Sequence, residues 1–319
     1  MDTETLKQVD LPFTAAEIRV RVTRRIVWNS FPGSVVHGVL GMNLKERSCV
    51  VTHRHCSKCF LVQSCQYGAL FESKVPEGAE RMRLYPQTPH PVRVSVFPWD
   101  SPSAEEDSEL RIRLYLYGNA VISSLSCLLS LEKALNEGVG RKHGGMRGRG
   151  QILTVCDLVS GNISNWDELK LKFYTPVQAL PLGDLVKERH ESSLSVEFDS
   201  PTKLTVGGNI SFDPGLRDVV AALLRRISNL QYFYNHVELD LPFKEILDSA
   251  DSLDFVSDLR RVQARRYSSR QQKSLSVSGV MGSLSVEDCP EIFSNLLLMG
   301  QYLGVGKNTT MGLGSFKLH

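Results

Sequence analysis

The chain has 319 residues, 42% hydrophobic and 23% charged, which describes a soluble globular protein long enough for two domains. Lysine and arginine number 37 against 35 aspartates and glutamates, so the formal charge is only +2, and a polyanion partner must be sought in local clusters. No run of about eighteen apolar residues is present, and the acidic start Met1-Asp2-Thr3-Glu4 lacks a signal peptide's apolar core, so a cytoplasmic protein without membrane contact is expected.

In chain order, Ile18-Arg19-Val20-Arg21-Val22 alternates cleanly and predicts a strand. Phe31-Pro32-Gly33 turns the chain, and Ser34 is placed to N-cap a helix reaching about Glu46. Val35, Val36, Val39, Leu40 and Leu44 form its apolar side; Ser34, His37, Gly38, Gly41 and Lys45 form a small polar side. A cysteine-rich insertion follows over 49–65. Val92–Phe97 and Leu110–Leu116 read as paired strands, Asn119–Asn136 as a helix, and Ile152–Val155 as a further strand after the basic, glycine-rich segment Gly138–Gly150. This order is the βαββαβ unit of ferredoxin-like folds.

The second half predicts the same order. Lys170–Val177 reads as a strand, and Asp213 with Pro214 opens a helix striped by Leu216, Val219, Val220, Leu223, Leu224, Ile227 and Leu230. Strands follow near Leu253–Gln263 and Leu275–Val286, then a helix from Pro290 to Leu303 and a last strand in Ser315–His319. The expected class is α+β, with tandem ferredoxin-like (RRM-like) domains over 1–165 and 166–319.

Between the last helix and last strand lies a glycine-rich loop over 304–314, in which Gly304, Gly306, Gly312 and Gly314 flank Lys307, Thr309 and Thr310. A P-loop would need glycine where Gln301 stands and Ser or Thr where Asn308 stands; a dinucleotide fingerprint would need glycine at Thr309. Both nucleotide motifs are excluded. An anion or nucleic-acid contact and a plain hairpin before the last strand are the readings that stay open.

Seven cysteines, an odd number, argue against a disulfide framework. Cys127, Cys156 and Cys289 stand in apolar surroundings and are expected in the core. The run Cys49-x6-Cys56-x2-Cys59-x5-Cys65 has metal-ligand spacing in a polar segment, and four thiolates suit a structural zinc; His53 or His55 could replace one of them. An iron–sulfur cluster uses similar spacing and is the second choice. Four protein ligands leave no open position, so no metal is assigned to catalysis. Two basic clusters stand out: Arg141, Lys142, His143, Arg147 and Arg149, and Arg260, Arg261, Arg265, Arg266, Arg270 and Lys273, the second interleaved with Tyr267. Cations beside a stacking ring suit RNA.

The glycine pattern Gly304-x-Gly306-x5-Gly312-x-Gly314 resembles the glycine-rich loop of the RAMP superfamily of CRISPR-associated proteins. The chain as a whole is similar to that superfamily's repeat-processing endoribonucleases. Phe31-Pro32-Gly33, the cysteine run ending Cys65-Gln66-Tyr67-Gly68-Ala69-Leu70-Phe71-Glu72, Pro89-His90-Pro91, Gly138–Gly150, Phe173-Tyr174-Thr175-Pro176, Arg266–Gln271 and Gly279-Val280-Met281-Gly282 carry the likeness in order. The resemblance implies an enzyme that cuts precursor crRNA within each repeat without metal: the 2′-hydroxyl attacks the adjacent phosphate, leaving a cyclic phosphate and a 5′-hydroxyl. It implies His37 as catalytic residue, with Lys45, Tyr67, His53 and His55 as candidate partners and Lys45 placed first. RNA contacts are expected from Arg141, Lys142, Arg147, Arg149, Arg265, Arg266, Tyr267 and Arg270, and from the loop through Gly304, Gly306, Lys307, Gly312 and Gly314. Expected partners are repeat RNA or crRNA and other CRISPR effector-complex subunits. A non-catalytic crRNA-binding subunit is the first alternative, and a zinc-dependent DNA-binding or adaptor protein the second.

Overall fold

The structure, a computed structural model, describes residues 3–51, 55–172, 177–188, 193–263, 265–268 and 273–319, with backbone alone at 57, 172, 265–268 and 273–276. It divides into two compact units, Phe13–Ala179 and Leu180–His319 together with Met1–Pro12. The division thus falls beyond the 165/166 expected from sequence, because the helix that follows packs into the first unit.

In the first unit, β1 (Pro12–Arg24) is followed by α1 (Pro32–Ser48), α2 (Gln66–Phe71), β2 (Val92–Phe97), β3 (Glu109–Tyr117), α3 (Ser124–Glu137), β4 (Val139–His143), β5 (Met146–Asp157) and α4 (Trp166–Lys172). The sheet runs β2-β3-β1-β5, antiparallel throughout, with Ile18 opposite Ile112 on one side and Val155 on the other. Residues 92–97 and 109–117 therefore pair as expected. Ile18, Val20, Ile112, Leu114 and Val94 face Val36, Leu40 and Leu44 of α1 and Leu128, Leu131 and Leu135 of α3 in one core. Alternation along the strands and helical spacing along α1 and α3 place these side chains on the shared faces.

Three local expectations are corrected. Helix α1 begins at Pro32 with Phe31 as its cap residue, not at Ser34: proline supplies the helical φ and needs no amide partner in the first turn. The Gly138–Gly150 segment is a hairpin of β4 and β5 turning at Gly144-Gly145, so the last strand starts at Met146. Residues 170–172 end helix α4 instead of opening a strand, and 173–176 lie outside the described residues. Trp166 decides this: it is 1% exposed and donates its indole N–H to Glu132 at 2.9 Å. Lys170, one turn on, meets Glu132 at 2.6 Å and Asp167 at 3.0 Å. These hydrogen bonds hold the Lys170 ammonium above the ordinary lysine range.

In the second unit the elements are β6 (Ser193–Thr202), α5 (Leu216–Tyr234), α6 (Phe243–Asp251), β7 (Phe255–Val262), a hairpin of β8 (Arg265–Ser268) and β9 (Lys273–Ser276), β10 (Gly279–Glu287), α7 (Glu291–Leu303) and β11 (Phe316–Leu318). The sheet order β7-β10-β6-β11 repeats the first unit's order element for element. Val196 lies opposite Leu284 and Leu318. Strand β6 is the repeat's true first strand. Its alternation of Leu194, Val196 and Phe198 with Ser195 and Glu197 is the signal that identifies it. The predicted stripe of α5 is buried at every named position, as are Ile292, Phe293, Leu296, Leu297 and Leu303 of α7. Among the described residues no helix is long and apolar enough to cross a membrane.

Candidate active site

Helix α1 presents the polar side read from its sequence. His37 and Lys45 are half-buried, Gly38 is exposed, and a Cβ added at Gly38 would meet nothing within 4 Å. Gly41, in contrast, is buried, because the ring of Phe71 lies on it: a Cβ there would stand 3.0 Å from the ring. Glycine at 41 therefore lets α2 lie close against α1.

Four side chains then form a chain across the two helices. The His37 imidazole and Phe71 ring have centroids 5.0 Å apart, tilted by 53°. Phe71 stacks on Tyr67 at 5.4 Å with planes 6° apart. The Lys45 ammonium sits over the Tyr67 ring at 5.3 Å, a cation–π contact. Tyr67 donates its hydroxyl proton to Glu72 at 3.3 Å. The structure thus brings His37, Lys45 and Tyr67 into one group. Phe71, the ring that joins them, carried no role in the sequence reading. Its apolar side chain announces no chemistry, and its partner Gly41 lies far from it in sequence. Of the other candidate partners, His55 is exposed and His53 lies outside the described residues.

The four clustered cysteines line one cavity with Lys45 and Ser48 of α1, His55, and Tyr67 and Gly68 of α2. Cys49 closes α1, its N–H donating to the Lys45 carbonyl at 2.9 Å, and the Cys65 carbonyl accepts the first amide bond of α2, from Ala69 at 2.8 Å. As the side chains stand, the Cys49 thiol donates to the Val51 carbonyl at 3.6 Å and the Cys65 thiol to the Ser48 hydroxyl at 3.7 Å. Among the described residues, no three His, Cys, Asp or Glu side chains are gathered to hold an ion. The other cysteines differ in kind. Cys127 is fully buried, and burial pushes its thiol up to about 12. Cys289 is 6% exposed. Cys156 is half-buried, contrary to its expected place in the core, because it lies on the partly covered face of β5.

The basic candidates fall in three settings. Arg141, Lys142, Arg147 and Arg149 are all exposed on the β4–β5 hairpin, and the Arg147 guanidinium donates to the Gly140 carbonyl. Arg265, Arg266 and Tyr267 lie on β8, described by backbone alone, and Arg270 lies outside the described residues. In the glycine loop, Lys307 is exposed while Gly304, Gly312 and Gly314 are buried. Several loop amides are already used: Val305 donates to Gly314, Lys307 to Lys203, Gly312 to Thr309 and Gly314 to Pro201. A Cβ at Gly314 would stand 1.9 Å from the Val305 carbonyl oxygen. The loop's glycines are thus explained by its own close packing, and Lys307 is its outward group.

Comparison with known proteins bears on the fold. Residues 11–165 match a family model described as an N-terminal domain. Residues 196–316 match that of the CRISPR-associated endoribonuclease Cas6. No curated protein matches the chain by sequence. Among solved structures, Thermus thermophilus Cas6 is 15% identical with a TM-score of 0.53, over 97% of this chain and 99% of that one. A Cas6 product complex is 16% identical with a TM-score of 0.57, over 97% of this chain and 100% of that one. A partial Cas6-RT-Cas1–Cas2 complex is 12% identical with a TM-score of 0.60, over 98% of this chain but 47% of that one. At these identities the likeness is one of fold: tandem ferredoxin-like units throughout. The chain therefore shares the Cas6 fold over nearly its whole length and matches the Cas6 endoribonuclease family over residues 196–316.

Proposed function

We propose that the protein is an endoribonuclease that cleaves CRISPR precursor RNA once within each repeat, without a catalytic metal. The observation that carries the reading is the match of residues 196–316 to the Cas6 endoribonuclease family. The grouping of His37, Lys45 and Tyr67 on α1 and α2 supplies residues suited to the chemistry.

In the proposed step the 2′-hydroxyl gives up its proton and its oxygen bonds to the adjacent phosphorus. The bond from phosphorus to the 5′-oxygen breaks, and that oxygen takes up a proton. The products are a 2′,3′-cyclic phosphate and a 5′-hydroxyl, with no water consumed. Histidine exchanges protons near neutral pH and serves as base for the first transfer or acid for the second. His37 is half-buried beside the open space at Gly38, where the RNA backbone can approach. The Lys45 ammonium is offered to the charge that builds on the phosphorane oxygens. Phosphate contacts come from Arg141, Lys142, Arg147 and Arg149 in the first unit. In the second they come from Arg265, Arg266, Arg270 and Lys307, with Tyr267 as a stacking ring. Repeat RNA and other CRISPR effector-complex subunits are the proposed partners.

The test is incubation with repeat RNA in EDTA-containing buffer. A single cut per repeat is expected, with His37→Ala slowing cleavage by about 10²- to 10⁴-fold while RNA affinity holds. Lys307→Ala is expected to leave the cut in place. Intact RNA bound tightly by the wild-type chain would instead establish a crRNA-holding subunit. Preference for duplex DNA would establish a DNA-binding or adaptor protein.

A further inference from the structure

The cysteine segment is held by little else. Of its described residues between Cys49 and Cys65, none is buried; Val50 is 83% exposed and Phe60 85%. From Cys56 onward its backbone makes tight turns, Cys56 to Cys59, Cys59 to Val62 and Leu61 to Cys65, each closed by an amide bond of 2.9 to 3.3 Å. Its described apolar side chains are at most half-buried, as at Val51, Leu61 and Val62, so the segment gains little from the main source of folding free energy. Yet it makes one demanding contact: the Val62 carbonyl presses on Gly68 of α2, where a Cβ would stand 1.8 Å from the oxygen. Something other than a hydrophobic core must hold the loop there. The four thiols that line the cavity between the end of α1 and the start of α2 are the groups able to do it.

We propose that Cys49, Cys56, Cys59 and Cys65 hold one thiophilic divalent ion of the zinc class, and that this tie seats α2 against α1 so that Phe71 positions His37. The donor set fits: four soft sulfurs, one from the last turn of α1, one from the cap of α2 and two from the loop between them. All four positions are filled by protein, so the ion supplies structure and no reactive water. Loading draws the thiols inward from their present weak bonds to Val51 and Ser48. With the loop fixed, Val62 presses α2 onto Gly41, and Phe71 and Tyr67 brace His37 and Lys45. Phe71 is a positioning residue: it touches the imidazole, not the RNA. The first half of the proposal stands without the endoribonuclease reading; the positioning half rests on it.

The experiment uses the full chain. Elemental analysis is expected to find one zinc per chain, absent from Cys56→Ser/Cys59→Ser, and cobalt substitution to give the charge-transfer bands of a thiolate site. Amide exchange in residues 66–71 is expected to rise when the metal is removed. Phe71→Ala should keep the metal and the RNA affinity but lower the single-turnover cleavage rate about tenfold, with Phe71→Tyr restoring it. Metal-free protein as isolated, or iron with labile sulfide in place of zinc, would overturn the ion. Unchanged exchange over α2 on metal removal, or unchanged cleavage in Phe71→Ala, would overturn the coupling. Should the double serine variant not fold, cobalt spectra of the wild-type chain still decide the ion. Should the wild-type chain cleave nothing, metal content and exchange still decide the tie, and only the endoribonuclease reading fails.

Discussion

The two glycine-rich segments occupy the same place in the two repeats, between the second helix and the last strand, and only one of them carries a projecting turn. Gly138–Gly150 forms a hairpin that turns at Gly144-Gly145 into open space and carries four exposed cations. Gly304–Gly314 folds back on itself, with three of its glycines buried and several amides spent on its own carbonyls. Glycine density therefore has two physical causes. At Gly144 and Gly145 it allows a sharp, projecting turn; at Gly140 and Gly148 of the same segment, and at Gly306 and Gly314 of the other, it allows backbone to touch backbone. Only the first segment leaves a row of charges facing solvent.

Substitution should break this contrast, most severely at Gly314. Its φ is +69°, and an added Cβ would stand 1.9 Å from a carbonyl oxygen, so Gly314→Ala should cost about 3 kcal/mol in urea unfolding. Next comes RNA affinity. Arg147 is tied to the Gly140 carbonyl, which leaves Arg141, Lys142 and Arg149 as the hairpin cations to remove. Replacing all three by alanine should weaken repeat-RNA binding about a hundredfold and flatten the log–log salt slope by about two units; Lys307→Ala alone should flatten it by about 0.7. Equal slopes in filter binding would erase the distinction between the segments. Gly144→Ala should cost only about 1 kcal/mol: its φ of +59° is unfavourable for alanine, but nothing lies within 4 Å of the new carbon.

An effect of similar size concerns α3, the helix that leads into the hairpin. Burial raises the Cys127 thiol to about 12, so the folded chain keeps a proton that the unfolded chain loses above about pH 9. Its stabilising contribution is complete below the unfolded pKa and is lost as pH rises toward the folded one. Wild-type stability should therefore fall by about 1 kcal/mol more than that of Cys127→Ala between pH 8 and pH 10, read from denaturant midpoints.

Much of this was legible in the residues. Alternation marked β1, β2 and β3, and helical spacing marked the buried faces of α5 and α7, because those patterns follow from local geometry. The polar side of α1 was legible for the same reason, and with it His37 and Lys45. Of the strand expected at 170–177, residues 170–172 are instead the end of helix α4. Lys170-Leu171-Lys172-Phe173 alternates, but Trp166 anchors a helix through a contact with Glu132, and only tertiary packing could say so. Phe71 was hidden likewise: its use depends on Gly41 leaving room for a ring.

The assignment of the first dozen residues to the second unit has a consequence for how the chain matures. Leu6, Val9 and Leu11 are each 0% exposed, and the amides of Leu182 and Gly183 donate to the carbonyls of Leu11 and Val9 at 2.9 Å. These residues are synthesised well before Leu182 and Gly183, to which Leu11 and Val9 bond. The unit they complete is discontinuous in sequence, so it cannot close while translation is still within the first repeat. A fragment of residues 180–319 would expose the apolar groove that Leu6, Val9 and Leu11 fill, and adding a peptide of residues 1–12 should restore its cooperative unfolding.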